Sequence, residues 1–390
     1  MTIEAKETFA ALAAFDWADR KHAGALQFPG GEVEAFELDQ TPAAIDAWAL
    51  ALRERFGGRP IAVALEQSKG ALLYALLKYD FLVLYPVNPK QLARFREAMV
   101  PSGAKDDPSD ARLLLELLAT HRDRLRPWRP DDATTRLIRQ LAEDRRALVD
   151  RRTRLVNGLK SRLKEYFPLA LEVLGELDSE LACQLLLRWG SLEELQQEDP
   201  QAVAAFYAQQ HCFRPKLIQE RLQKIAQATP LVTDPAIIES GRMCIRGLAT
   251  ELLSLMEPLR QYDRRLAELM RQHPDGGLFD SFPGAGPALA PRLVAAFGAD
   301  RDRLASADQM QALSGIAPVA IKSGKTQHQV RRRWACNKFL RQTFHEFAWH
   351  SVRHSPWAKA YYDMMRHRGL KRPAAIRALA FKWIRILYHC

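Results

Sequence analysis

Several absences bound what this chain can be. No apolar run approaches the length of about 18 residues that a membrane-spanning helix requires. The strongest candidates, IAVAL and FLVLYPV, have the length of buried strands. The opening MTIEAKETFA carries acidic residues and no apolar signal core, so it predicts no secretion. Five cysteines (Cys183, Cys212, Cys244, Cys336 and Cys390) lie far apart with no C-x-x-C pair. That spacing argues against a zinc site or a disulfide framework and fits a reducing cytoplasm. The remaining composition, 47% hydrophobic and 26% charged over 390 residues, is that of a globular protein long enough for two or three domains.

Positive charge is abundant and unevenly placed. The net +11 hides acidic stretches at 1–120 (13 Lys/Arg against 17 Asp/Glu) and 166–277 (11 against 16). Basic stretches lie at 121–165 (14 against 7) and 278–390 (19 against 6). Such segregation predicts a polyanionic partner, because neutralising phosphates releases counterions, although basic surfaces also serve solubility.

Residues 11–39 read as two or three strands, ALAAFDW, AGALQF and EVEAFEL, the last two separated by the turn signal PGG. TPAAIDAWALALRERFG has helical spacing with a Thr-Pro start and a glycine stop. PIAVALE and FLVLYPV are strands, alternating with the helices ALLYALLKY and PKQLARFREAM. Early strands followed by helix–strand alternation predict a mixed sheet covered by helices. Asp16 closes the first strand and Glu66 a later one, while Asp107 and Asp110 open a helix in KDDPSDARLLLELL. Carboxylates from two strand ends and a helix can converge on Mg²⁺ or Mn²⁺, which favour oxygen ligands. Asp-Pro-Ser-Asp is equally a helix start, with Asp107 as N-cap and Pro108 at the first helical position.

Beyond the sheet, 121–166 reads as a basic helical arm with Leu141, Leu148, Leu155 and Leu159 along one stripe. Residues 167–234 predict short helices broken by prolines, an insertion. Residues 235–272 carry two apolar heptad series, Ile245–Leu252–Leu259–Leu266 and Leu248–Leu255–Tyr262–Leu269. They predict a coiled coil, antiparallel to the arm or across a dimer, or else a core helix. In FPGAGP a Gly284-x-Gly286 turn between short helices is helix-hairpin-helix-like, a geometry that lets backbone N–H groups meet a phosphate. Further on, Ser323 lies between Lys322 and Gly324, with Lys325 and the run Arg331, Arg332, Arg333 close by. A hydroxyl in a cationic loop suits attack on a phosphodiester, and Ser-Gly is also an ordinary turn.

In order, FDWADRKH, VALEQSKG, YPVNPKQL, SGAKDDPSDA, a coiled coil, FPGAGP and SGIAPVAIKSGK resemble the IS110 family of insertion-sequence transposases over nearly the whole chain. The resemblance implies an α/β plus α protein. Its parts would be an RNase H/RuvC-like domain at 1–125, a helical and coiled-coil region at 126–275 with the insertion at about 167–234, and a mainly helical C-terminal domain at 276–390. It implies a DEDD metal site at Asp16, Glu66, Asp107 and Asp110, with Asp106 a near rival to Asp107 that the family's D-x-x-D-A spacing sets aside. It implies a nucleophilic serine at Ser323. Lys322, Lys325, Arg331–Arg333 and the Gly284/Gly286 turn would then contact nucleic acid. Expected partners are donor and target DNA, a bridge RNA, and further copies of the chain as a dimer or tetramer, in a prokaryotic cytoplasm at the nucleoid when acting. Two departures stand out: Cys336-Asn337 replaces the family's Gly-Asn, and Lys322 stands where a second serine is common. Readings outside the resemblance are a metal-dependent resolvase using water, and a non-catalytic nucleic-acid-binding protein.

Overall fold

A five-stranded mixed sheet organises the first part of the chain. Strands β1 (Ala11–Asp16), β2 (Lys21–Gln27) and β3 (Val33–Asp39) run antiparallel in succession. After helix α1 (Pro42–Arg55), β4 (Ile61–Leu65) returns parallel to β1. Helix α2 (Ala71–Leu76) leads to β5 (Leu82–Pro86), parallel to β4, which gives the order β3-β2-β1-β4-β5. Helices α3 (Pro89–Met99) and α4 (Asp107–His121) follow. The computed structural model describes residues 8–66, 70–99, 106–301, 304–321 and 329–390. The chain divides into two compact units, Met1–Pro130 and Asp131–Cys390.

The two faces of this sheet differ in side-chain size. Ala13, Phe15, Ile61, Val63 and Leu65 face one side and pack with Ile45 and Leu52 of α1 and Leu73 and Leu76 of α2. Ala14, Ala62 and Ala64 face the other and pack with Ala111, Leu114 and Leu118 of α4. Because side chains alternate along a strand, small residues at every second position create a shallow face on which a helix can settle closely.

The second unit is helical and built around a hairpin of two long helices. These are α5 (Ala133–Tyr166) and α11 (Pro235–Gln272), joined through the short helices α6 (Ala170–Val173), α7 (Glu180–Arg188), α8 (Leu192–Gln197), α9 (Pro200–Gln209) and α10 (Pro215–Gln227). Arg145 pairs with Asp263, Arg151 with Glu251 and Arg162 with Ser240, so α5 and α11 run antiparallel within one chain. Their shared seam buries Leu155, Leu159, Ile245, Leu252 and Leu255 in a core with α6–α9. Farther along, Ile138, Leu266 and Leu269 enter a second core. Pro258 lies inside α11 between the two.

That second core holds α12 (Gly276–Asp280), α13 (Gly286–Phe297), α14 (Ala307–Leu313), α15 (Lys338–His354), α16 (Pro356–His367) and α17 (Arg372–His389). Among the described residues a two-stranded ladder interrupts the helices: β6 (Val319–Ile321) pairs antiparallel with β7 (Gln329–Arg331). At the junction of α5 and α11, Asp132 caps α5, Thr135 donates to Asp132 at 2.5 Å and meets buried His273 at 2.8 Å. No helix among the described residues is long and apolar enough to cross a membrane.

The helix pair closes at Gly241, where a Cβ would stand 2.5 Å from the Tyr166 ring. The Tyr166 hydroxyl donates to the Gly190 carbonyl at 2.8 Å, so the ring cannot retreat without losing a buried hydrogen bond. Gly241→Val is therefore expected to lower unfolding free energy by about 1–3 kcal/mol. Gly158→Ala, with its Cβ 3.7 Å from Leu248, is the tolerated control. Chemical denaturation of both variants checks this, and equal midpoints would show that the Tyr166 contact does not fix the pair.

Candidate active site

The alternation that sorts the sheet faces also aims two carboxylates. Asp16 continues the series Leu12–Ala14, and Glu66 continues Ala62–Ala64, so both fall on the face that α4 covers. The parallel register pairs Ala14 with Ala64 and Phe15 with Leu65, which sets Asp16 beside Glu66 at adjacent strand ends. Helix α4 brings Asp107 and Asp110 in its first turn, and its N-terminal dipole favours negative charge there. Asp110 is 1% exposed and Asp16 8% exposed, whereas Asp107 is open to solvent.

Electrostatics tie the four together. Asp16 is pushed up to about 7, first by burial, then by a hydrogen bond shared with Glu66, then by the charges of Glu66, Asp110 and Asp107. Against this excess of negative charge stands Arg96 of α3, whose Nε donates to Asp110 Oδ1 at 2.8 Å while its Nη2 reaches the same oxygen. The donor set is oxygen only and suits a hard divalent cation. Among the described residues, no group of three or more His, Cys, Asp or Glu side chains is preset to hold a metal ion.

The helix start differs from the sequence expectation. The N-cap is Asp106, not Asp107: Asp106 Oδ1 accepts from the Ser109 N–H at 2.7 Å, and Ser109 Oγ faces the Asp106 N–H at 3.4 Å. Serine three residues on completes a reciprocal box only with Asp106. The Asp106 side chain is thereby occupied, Asp107 becomes the first helical residue, and Pro108 moves to the second.

The turn after Asp16 is held by a buried histidine. The Ala18 N–H donates to His22 Nδ1 at 3.1 Å, so Nε2 carries the proton and donates to Gln40 Oε1. Burial holds the imidazole below its ordinary range, in keeping with the neutral tautomer. Within FDWADRKH nothing in the spacing marks His22 as the anchor, and nothing in PKQLARFREAM marks Arg96 as the partner of Asp110.

In the second unit, Ser323, Lys322 and Lys325 lie outside the described residues, between β6 and β7. Arg331 and Arg332 are exposed and Arg333 half-buried. Gly284 has a left-handed φ of 84°, and a Cβ there would meet the backbone of α15 at His350 and Ser351 at 2.8 Å. Close helix packing thus accounts for glycine at 284. Gly286 opens α13 with φ 54° and open space beside it. Where the sequence leaves the Cys336-Asn337 turn open, the structure closes it. Asn337 Oδ1 accepts from the Leu340 N–H at 3.1 Å as the cap of α15, and Cys336 Sγ lies where a Cβ on Gly315 would stand 2.6 Å away.

Two family profiles match the chain: one of DEDD type described as "Transposase" over residues 13–168, and "Transposase IS116/IS110/IS902 family" over residues 277–363. The chain is 28% identical to the "Mini-circle putative transposase for IS117" of Streptomyces coelicolor, over 99% of this chain and 94% of that protein. It is 25% identical to the insertion element IS900 uncharacterized 42 kDa protein of Mycobacterium paratuberculosis, over 84% and 81%. It is also 25% identical to the insertion element IS110 uncharacterized 43.6 kDa protein of Streptomyces coelicolor, over 74% and 71%.

Asp16 yields a test with a definite sign. Its carboxyl moves from 3.8 to about 7 on folding, so folding favours the protonated form. The stabilising contribution is complete below pH 3.8 and is lost as pH rises through about 7. With divalent ions chelated, the thermal midpoint of the wild type relative to Asp16→Asn should fall across that window. A difference that grows with rising pH would contradict the burial and crowding assigned to Asp16.

Proposed function

The chain belongs to the IS110 family of transposases, and from that premise we propose that it cuts and rejoins DNA of an insertion sequence, with Ser323 as nucleophile and the Asp16–Glu66–Asp107–Asp110 group as metal site. The observation that supports the proposal is the state of Asp16, hydrogen-bonded to Glu66 and raised to about 7 by burial and by the charges of Glu66, Asp110 and Asp107. The sheet order β3-β2-β1-β4-β5, with β1 antiparallel to β2 and parallel to β4, supports the RNase H/RuvC-like reading of the first unit.

Asp16, Glu66, Asp107 and Asp110 would hold Mg²⁺, or Mn²⁺ in its place, and the bound ion would supply charge stabilisation to a phosphodiester undergoing exchange. Arg96 keeps buried Asp110 in place and offsets part of the negative charge. In the proposed step the Ser323 Oγ attacks phosphorus and loses its proton. The Oγ–P bond forms as the bond to the departing sugar oxygen breaks, and that oxygen takes up a proton. The number of phosphoester bonds is unchanged, so reverse attack by a DNA hydroxyl rejoins the strand without an outside energy source. Lys322, Lys325 and Arg331–Arg333 supply positive charge for the DNA backbone. A guide RNA and further copies of the chain complete the proposed assembly; the basic stretches of 121–165 and 278–390 support a polyanionic partner.

Ser323→Ala is expected to abolish covalent protein–DNA adducts on denaturing gels while oligonucleotide binding stays near the wild-type level. Asp16→Asn is expected to abolish strand cleavage altogether. Cleavage by Ser323→Ala with free DNA ends would assign the attack to water, and adducts that persisted would place the nucleophile elsewhere. Sequencing of RNA that co-purifies without nuclease treatment tests the guide: a discrete species encoded beside the gene supports it, and its absence removes it.

A further inference from the structure

The segment after β7 presents a tryptophan in an unusual setting. Trp334 is 71% exposed, although an indole contributes about 150–250 Å² when buried. Single exposed aromatics are common, so exposure alone decides nothing. Three further observations give it meaning.

The first is rigidity. Arg341 Nη2 donates to the carbonyls of Arg333 and Trp334, at 3.1 and 3.2 Å, and also contacts Cys336 Sγ. The Asn337 N–H donates to the Leu313 carbonyl at 2.9 Å, so the end of α14 fixes the other end of the same short stretch. The backbone that carries Trp334 is therefore clamped while its side chain stands in water.

The second is the covering of one ring face. The Arg332 guanidinium lies 4.8 Å from the Trp334 centroid. A cation on one face and solvent on the other make a platform for one more planar group.

The third is charge. Residues 309–345 hold seven Lys/Arg and no Asp or Glu. Arg333 Nε and Arg341 Nε are buried without a hydrogen-bond partner. Arg377 of α17 is pushed below the ordinary arginine range, first by burial and then by the charges of Arg332 and Arg341. Such crowding of like charge disfavours a basic partner and favours one that brings anions with its planar rings.

We propose that Trp334, backed by Arg332, is a stacking platform for an unpaired nucleobase, whose phosphates lie against Arg332 and Arg333. A base inside a duplex already has a neighbour on each face, so the ligand is a single-stranded, bulged or flipped-out nucleotide. The chemistry is shared by DNA and RNA. This inference rests on the nucleic-acid reading above and adds to it the strand state that this surface recognises.

Fluorescence anisotropy with the full-length protein tests it, using a thymidine homopolymer, a uridine homopolymer and a blunt duplex of equal length. Trp334→Ala is expected to weaken homopolymer binding about 5- to 150-fold. Trp334→Phe should restore most of the loss, and duplex binding should be unchanged. The dependence of affinity on salt should keep the wild-type slope, because no cation is removed. A larger loss on uridine assigns the site to RNA, a larger loss on thymidine assigns it to DNA, and equal losses assign it to both. Undiminished homopolymer binding, an equal loss on duplex, or a changed salt slope would overturn the platform. Duplex binding by the wild type leaves the transposase reading standing in those cases, whereas a wild-type protein that bound none of the three would bring down both.

Discussion

The close seat of α4 on the alanine face of the sheet is the constraint on which the candidate site depends. Ala14, Ala62 and Ala64 leave room for Ala111, Leu114 and Leu118 to approach the strands. That approach brings the first turn of α4 to Asp16 and Glu66. A larger side chain at 62 or 64 would lift the helix and separate the carboxylates before it altered any of them. Burial and mutual repulsion at Asp16 are thus consequences of packing, and packing must offset their cost.

The fold was legible where residue pattern and local physics agree. The strands of 11–39, IAVAL and FLVLYPV show as alternating or continuous apolar runs, and the structure places β1–β5 on them. The heptads of 235–272 mark α11 for the same reason. The partner of α11 was not fixed by periodicity, because an apolar stripe specifies a neighbour but not which one. Tyr166 against Gly241 and the ion pairs with α5 supply that information, and they depend on contacts distant in sequence. Likewise β6 and β7 were hidden, since three-residue strands carry no detectable period.

The site was legible by residue type more than by role. Asp16 and Glu66 are strand-end carboxylates, an arrangement visible in the sequence, and the register explains why they meet. Asp106 and Asp107 could not be told apart from composition, because either starts a helix well; the reciprocal bond with Ser109 decides the cap. Nothing in the sequence singles out Arg96, because a basic residue on an amphipathic helix is usually solvated. Only the fold shows that its guanidinium ends at a buried carboxylate. Gly284 illustrates the converse, since a glycine that reads as a phosphate turn is required there by the backbone of α15.

Pro258 has a mechanical consequence. It brings no N–H to the carbonyl four residues earlier, at Ser254, so α11 lacks one rung of its ladder. That gap spans Leu255, which belongs to the core with α6–α9, and precedes Leu266, which belongs to the core with α13 and α15. Bending stiffness is lowest at the missing rung, and the antiparallel partner α5 has no proline at that level to match it. The two cores are therefore joined by one helix whose ladder is interrupted and by one whose ladder is not, α5, which carries Leu155 into the first core and Ile138 into the second.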